Sequence, residues 1–559
     1  MKKLILFASL FIFCSSVYSS QKIQDISFLG EIAVYPDRIL KAIDFNDLYK
    51  IQQFSLSAPL FQNNFIRQKN NGFFGINFSD PLNIKFISIN GNLVPDLIIE
   101  FTIDKMDKIK MVISTFSQGN YTLVQRDKIY WLASSSGKGP AFPMLLKNNR
   151  AYILGDASNL NILSPEGTTG KIDLKTISDT SDARAERAFQ ILNSISDVRK
   201  SKKFTTSNIL PPEIPVSKQD VLGYFFTDIS GDYLDKFYKQ FKLEFIKQLI
   251  EENTVGRQAL IFQKTPLNLE VNNYIFSSDK GSELKKISLN SKLASKIPDN
   301  AFMFYMGNGD NAQLRKLLNN KRIFPDNSEF SNIKENITNL ISAFTGEIYF
   351  YVTPNKKSGA FSVADFFQKF NIALALEISD VNSFENSVNA ISKAHPGKII
   401  YQKGPDDLQQ LVLTADTYSA VLYIGYADMD KKFAVISSNK NEVQRFQPSS
   451  APLQNNIFSY LKGKKFLTAS ADNSFYFINL KFLLKYIYDM EESRFEESYK
   501  KLAKYFIDCS DAIFGFTKYA GEYNNQTFNI KQQKAVNILE LYNIFQNVQE
   551  QQQGTDKKR

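Results

Sequence analysis

The order of elements between Phe370 and Phe446 recurs, in loosened form, about half a chain earlier, and no other feature restricts the fold as much. The stretch opens with Ile372-Ala373-Leu374-Ala375-Leu376-Glu377-Ile378, an apolar run that reads as a mostly buried strand. Ser379-Asp380 then caps a predicted helix whose Val381, Phe384, Val388 and Ile391 fall along one face, with Asn382, Glu385, Asn386 and Asn389 toward water. Leu411-Val412-Leu413 and Val421-Leu422-Tyr423-Ile424 predict strands, and Phe433-Ala434-Val435-Ile436-Ser437-Ser438 closes the unit before a short helix. Earlier in the chain, Leu97-Ile98-Ile99-Glu100-Phe101-Thr102-Ile103 leads to Asp104, a helix-like Met106, Ile109, Val112 and Ile113, and a closing strand at Ala151-Tyr152-Ile153-Leu154-Gly155.

The echo extends in both directions. Tyr35-Pro36-Asp37 matches Ile297-Pro298-Asp299, and Gly72-Phe73-Phe74-Gly75-Ile76 matches Thr345-Gly346-Glu347-Ile348-Tyr349. Leu222-Gly223-Tyr224-Phe225-Phe226 before a long helix matches Ser474-Phe475-Tyr476-Phe477-Ile478 before another. Ala259-Leu260-Ile261-Phe262 pairs with Ala512-Ile513-Phe514-Gly515, and Asn272-Asn273 with Asn524-Asn525. The offsets 298 − 36 = 262, 373 − 98 = 275 and 524 − 272 = 252 differ, so insertions and deletions separate the copies. A period of this size is that of a whole domain, far beyond a solenoid repeat. The expected fold is therefore α+β: two tandem related modules, each a mostly antiparallel sheet with helices packed on one side. The modules are assigned to residues 20–293 and 294–546.

The start of the chain has the three parts of a secretory signal: Met1-Lys2-Lys3, an apolar run from Leu4 to Phe13, and Val17 and Ser19 at the cleavage site, giving residues 1–19. The run is too short to span a bilayer, and no later stretch is long enough, so no transmembrane segment is expected in the mature chain. Cys14 follows Phe13 where a lipobox would have a small residue, which makes lipidation the minority reading. With the signal removed, Cys509 is alone and no intrachain disulfide is available. The formal charge of +10 becomes 10 − 2 = +8 once Lys2 and Lys3 leave, and its basic residues are scattered. A nucleic-acid partner would need that charge on one face, so none is expected; an anionic envelope surface is the better functional partner, and a solvated loop or tail is the plainer reading of each basic run. Residues 164–220 hold an extra helix at Ala188, Phe189, Leu192 and Ile195 and a Pro-rich linker, Asn208-Ile209-Leu210-Pro211-Pro212-Glu213-Ile214-Pro215, expected to be extended. The helices that follow the linkers are amphipathic, a pattern suited to packing on strands or to lying on a membrane. Residues 547–559 form a polar tail expected to be disordered.

Chemistry is sparse. One histidine, His395, in a turn beside Pro396, excludes a multi-histidine metal site, and one isolated Cys excludes a thiolate cluster. No G-x-S-x-G occurs, and no catalytic or metal-ligating residue is assigned. The sharpest motif is Gly307-Asn308-Gly309-Asp310-Asn311-Ala312 after a predicted strand, a G-x-G-x-x-A that makes Gly307, Gly309 and Ala312 the candidate cofactor-binding residues. A turn into a capped helix is the plainer explanation of the same residues, and no cofactor is assigned. Ser134-Ser135-Ser136-Gly137-Lys138-Gly139-Pro140 lacks the first Gly and the last Ser/Thr of a phosphate loop.

Ile297-Pro298-Asp299-Asn300-Ala301 leading a strand, Gly346-Glu347-Ile348-Tyr349-Phe350, the Ser379-Asp380 helix start and Phe433-Ala434-Val435-Ile436-Ser437-Ser438 together resemble exported bacterial proteins grouped as a domain-of-unknown-function family. The resemblance covers both repeats, the second more clearly. It implies an envelope-located, non-enzymatic protein and carries over no catalytic residue. Three readings stand at this level. One is binding or scaffolding in the periplasm or at the cell surface, with lipid or another envelope protein as partner. The second is an enzyme with a nucleotide or carboxylate site near Gly307, and the third a surface-exposed adhesion or virulence factor.

Overall fold

The computed structural model describes residues 26–42, 75–155, 181–196, 206–229, 257–276, 290–308, 328–355, 369–466, 474–519 and 523–546, with short interruptions inside several of these stretches, and Tyr233, Lys236 and Lys239. The expected signal segment, Cys14, the loop at 135–141 and the polar tail lie outside the described residues. The chain divides into two compact units, Met1–Ser278 with Asn537–Leu539, and Asp279–Val536 with Glu540–Arg559. Leu293 and Ala294 belong to the core of the second unit.

In the first unit, β1 (Ile26–Val34), α1 (Pro36–Ala42), β2 (Leu82–Ile89), β3 (Asp96–Thr102) and α2 (Met106–Phe116) come first. They are followed by β4 (Tyr121–Arg126), β5 (Ile129–Ser134), β6 (Phe142–Lys147), β7 (Arg150–Gly155) and α3 (Ser181–Ser196). A turn of helix, α4 (Thr206–Ile209), then leads to β8 (Val221–Asp228), β9 (Arg257–Thr265) and β10 (Asn268–Phe276). Every pairing is antiparallel, in the order β4-β5-β6-β7-β3-β2-β1-β8-β9-β10.

The second unit runs α5 (Ser291–Ala294), β11 (Met303–Asn308), α6 (Ser328–Ala343), β12 (Phe344–Pro354), β13 (Phe370–Ile378), α7 (Val381–Ala394), β14 (Ile399–Lys403), β15 (Gln409–Ala415), β16 (Tyr418–Asp428) and β17 (Lys432–Ser437). After them come α8 (Lys440–Gln444), α9 (Ile457–Gly463), β18 (Ser474–Ile478), α10 (Leu480–Glu491), α11 (Glu497–Cys509), β19 (Ser510–Tyr519) and β20 (Tyr523–Gln532). Its antiparallel order is β14-β15-β16-β17-β13-β12-β11-β18-β19-β20. Strand for strand, this is the order of the first unit.

Local sequence accounts for much of this. Asp380 accepts from the Ser383 amide at 2.8 Å, capping α7, and Phe384 and Val388 are its buried residues. Asn148 and Asn149 both take positive φ, at 53° and 59°, so that Lys147 pairs with Arg150 across a two-residue hairpin. At the corresponding turn of the second unit only Asp430 does so, at 69°.

Helices lie on both faces of the second sheet rather than on one. Phe304, Met306, Tyr349, Tyr351, Ala373, Phe433 and Val435 face one side with residues of α5, α8 and α9. The alternate residues face the other way: Met303, Phe350 and Ile372 toward Phe482, Leu483 and Tyr486 of α10, and Ala434 and Ile436 toward α6 and α7. Apolar residues at both parities require two covers. The expected extended linker is also packed: residues 206–220 run through turns, with Leu210, Ile214 and Val216 buried. Two of the expected matches shift. Pro36 begins a helix after β1, whereas Pro298 precedes β11, and Gly75 lies ahead of β2 while Gly346 is inside β12.

Candidate functional site

Gly307 lies inside β11, antiparallel to Ile348 of β12 and to Ser474 of β18. Gly309 and Ala312 lie outside the described residues. A dinucleotide fingerprint works at the end of a strand flanked by parallel neighbours, with a helix N-terminus on the phosphates; β11 offers neither neighbour. Its glycine has another cause: the Tyr305 ring folds over it, and a Cβ at 307 would stand 2.0 Å from the Tyr305 hydroxyl.

A charged cluster forms beside this strand all the same. Asn308 pairs with Glu347, and Lys431, in the β16–β17 turn, reaches Glu347 Oε1 at 2.6 Å and Glu377 Oε2 at 3.0 Å. Tyr349 donates to Glu347 Oε2 at 2.8 Å and accepts from the Asn290 amide at 3.0 Å. Burial works to raise the Glu377 pKa, but the Glu347 amide and the Lys431 ammonium hold it below the usual carboxylate value. Burial likewise works to lower the Lys431 pKa, and the two carboxylates raise it further than burial lowers it. Each charge is answered within the cluster, so the arrangement ties β12 and β13 to the β16–β17 turn.

The first unit holds a deeper network that sequence reading missed. Glu31 of β1, Lys85 of β2 and Glu100 of β3 are 1%, 4% and 2% exposed. Lys85 Nζ meets Glu100 Oε2 at 2.5 Å, and Arg150 meets Glu100 Oε1. Glu31 Oε2 accepts from the Tyr224 hydroxyl at 3.1 Å, from the Thr206 hydroxyl, and from the Thr206 amide at 3.4 Å. Burial raises the Glu31 pKa above the ordinary carboxylate value; the Lys85 charge opposes this and the Glu100 charge adds to it. The Tyr224 hydroxyl is pushed up by burial and by the same carboxylate.

The matching positions of the second unit are apolar or aromatic. Glu100 stands six residues before the first residue of α2, and Ala375 six before that of α7. Glu100 pairs with Asn83 and Tyr152, Ala375 with Tyr349 and Val435. Two residues along, Lys85 pairs with Glu31 and Tyr351 with Phe304. Glu31, Lys85 and Glu100 thus correspond to Phe304, Tyr351 and Ala375. The signal was present in the sequence, since each charged residue sits between apolar neighbours at the strand parity that faces the core.

A further charged and aromatic feature is α11 with its approach. Phe495, Tyr499 and Phe506 are 36%, 38% and 41% exposed. Tyr499 and Phe506 are seven apart and share a ridge, Lys501, Lys504 and Asp508 form the opposite exposed ridge, and Lys500 lies between them. Phe495 stacks on Tyr488 of α10 at 6.2 Å. His395, the C-cap of α7, has its carbonyl accept from the Lys398 and Ile399 amides and lies with no acid or nucleophile bonded to its ring among the described residues. Among the described residues no group of three or more His, Cys, Asp or Glu side chains is placed to hold a metal ion, and no helix is long and apolar enough to cross a membrane.

No protein-family model matches the chain, and no curated protein does. Among solved structures it is similar to crystal form III of TP0453, at 8% identity and a TM-score of 0.22 over 42% of this chain and 77% of that one. Crystal form IV of TP0453 matches at 9% identity and a TM-score of 0.23, over 46% of this chain and 96% of that one. A likeness of this size carries no argument about function.

Proposed function

We propose that the protein is an exported, non-enzymatic binding protein of the cell envelope, built from two diverged copies of one α+β module, that attaches to an anionic lipid surface through α11. The repeat reading is supported by the common strand order and by the sequence echo. Export rests on the signal-like start of the chain.

The observation that carries the lipid reading is the exposed pair Tyr499 and Phe506 on a helix that also holds three lysines, with the exposed Phe495 just before it. Aromatic rings on an exposed ridge of an amphipathic helix suit the boundary between head groups and acyl chains, and Lys500, between that ridge and the opposite one, is the lysine nearest them. Glu497 and Asp508 leave this helix with one net positive charge. The rings must therefore supply most of the affinity.

Flotation of the mature protein with vesicles, with and without anionic lipid, tests the reading. Co-flotation is expected to weaken about tenfold or more in Tyr499→Ser/Phe506→Ser, since burying a large apolar side chain is worth about 1.5–3 kcal/mol. A wild-type protein that stays at the bottom of the gradient, or a variant that floats equally well, contradicts it.

A further inference from the structure

We propose that the first unit carries a proton-dependent latch: uptake of a proton by Glu31 holds residues 206–221 onto β1, and its release loosens them. Three side chains from β1 and the start of α1 grip this segment. Glu31 takes the Thr206 hydroxyl and amide at its beginning. Tyr35 donates its hydroxyl to the Val216 carbonyl at 3.0 Å. Arg38 donates to the carbonyls of Val221 at 2.8 Å, Ser217 at 3.4 Å and Lys218. Leu210, Ile214 and Val216 are buried beneath it. Of the three grips, only Glu31 is a carboxyl; the other two are donors that end on carbonyls.

The groups facing Glu31 set the direction. Lys85 on β2 favours its ionised form, Glu100 on β3 opposes it, and Tyr224 on β8 donates to it. Arg150 on β7 lies beyond, on Glu100. Desolvation is the largest effect and exceeds the help from Lys85, so the folded carboxyl holds its proton to higher pH than an unfolded one. The stabilisation is therefore full below the unfolded carboxyl range and is lost as pH rises through the folded value. The ionised carboxylate is relieved only by water, from which the closed segment shields it, Thr206 being fully buried. An exported protein meets external pH without cytoplasmic buffering, so such a latch would respond to its surroundings. The second unit has Phe304 at the matching position.

Hydrogen exchange of the full chain between about pH 5 and about pH 8, corrected for intrinsic exchange, tests this. In the wild type, protection of the Leu210, Ile214 and Val216 amides is expected to fall at least about tenfold across that range. In Glu31→Gln, which keeps the shape of the neutral carboxyl, it is expected to stay within about twofold. Tyr35→Phe removes a grip that does not titrate, so it lowers protection at every pH and keeps the slope. A flat wild-type profile overturns the latch, as does a slope that survives in Glu31→Gln. Should Glu31→Gln fail to fold, Tyr35→Phe and the wild type still decide, because a latch without titration gives both a flat profile.

Discussion

Replacing Lys85 by Met keeps the hydrocarbon stem and removes the charge, leaving the Glu100 carboxylate 2% exposed with Arg150 as its remaining partner. Breaking a buried ion pair costs about 3–5 kcal/mol, and the surviving Arg150 contact places this case near the lower end, about 3 kcal/mol. That is a factor of roughly 100 or more in the folded-to-unfolded ratio, and about 6–12 °C in Tm for a unit of this size. Lys85→Met/Glu100→Met removes both charges and is expected to recover at least half of the loss, because a buried pair and well-packed hydrocarbon are often close in stability. Arg150 tolerates this, its side chain being 46% exposed and able to turn to water. The assay is urea unfolding followed by tryptophan fluorescence. Trp131 is the one tryptophan of the chain and is buried in the core of the first unit, so the signal reports on that unit. If the single variant is neutral, the network does not hold charge as described. If the double variant is as unstable as the sum of the singles, the apolar second unit is a poor guide to the first.

Other perturbations follow from single contacts. Tyr351→Phe removes a buried 2.9 Å bond to Glu442, which keeps Arg445 at 2.7 Å, and should cost about 1–2 kcal/mol in unfolding of the second unit. Gly515→Ala should cost at least about 2 kcal/mol by the same measurement, since its Cβ would stand 2.2 Å from the Thr527 carbonyl oxygen of the paired strand β20. Gly307→Ala meets only the Tyr305 ring, which can swing; a loss of about 1–2 kcal/mol is expected, with no change in nucleotide binding by calorimetry. Asn456→Ala removes the cap of α9, where Asn456 accepts from the Ser459 amide at 2.9 Å, and should cost about 1 kcal/mol.

The order of strands and helices was largely legible because it depends on local pattern. The β3–α2 and β13–α7 steps, the closing strands β7 and β17, and the pairs β8/β18, β9/β19 and β10/β20 all follow from period-2 and helical spacing with a capping Asp or a Gly. The positions of Pro36 and Gly75 were misjudged because a short motif fixes a turn but says nothing of which side of a strand the turn lies on. The second layer of helices was implicit in Ala301-Phe302-Met303-Phe304-Tyr305, where both parities are apolar. Glu31, Lys85 and Glu100 were passed over because each alone reads as an ordinary strand charge. Their convergence depends on the β1–β2 and β2–β3 pairings, which bring together residues up to 69 positions apart. Gly307 belongs to a local motif, and its steric surroundings, the Tyr305 ring two residues before it, come into view only with the strand.

Attachment through α11 is tested most directly by the depth of one side chain. In a Trp131→Phe background, Phe506→Trp places the chain's single tryptophan on the exposed ridge. The account predicts that its fluorescence is quenched by anionic vesicles carrying brominated acyl chains, most strongly by bromines near the head-group boundary. Fluorescence that is unchanged when such vesicles are added would contradict it.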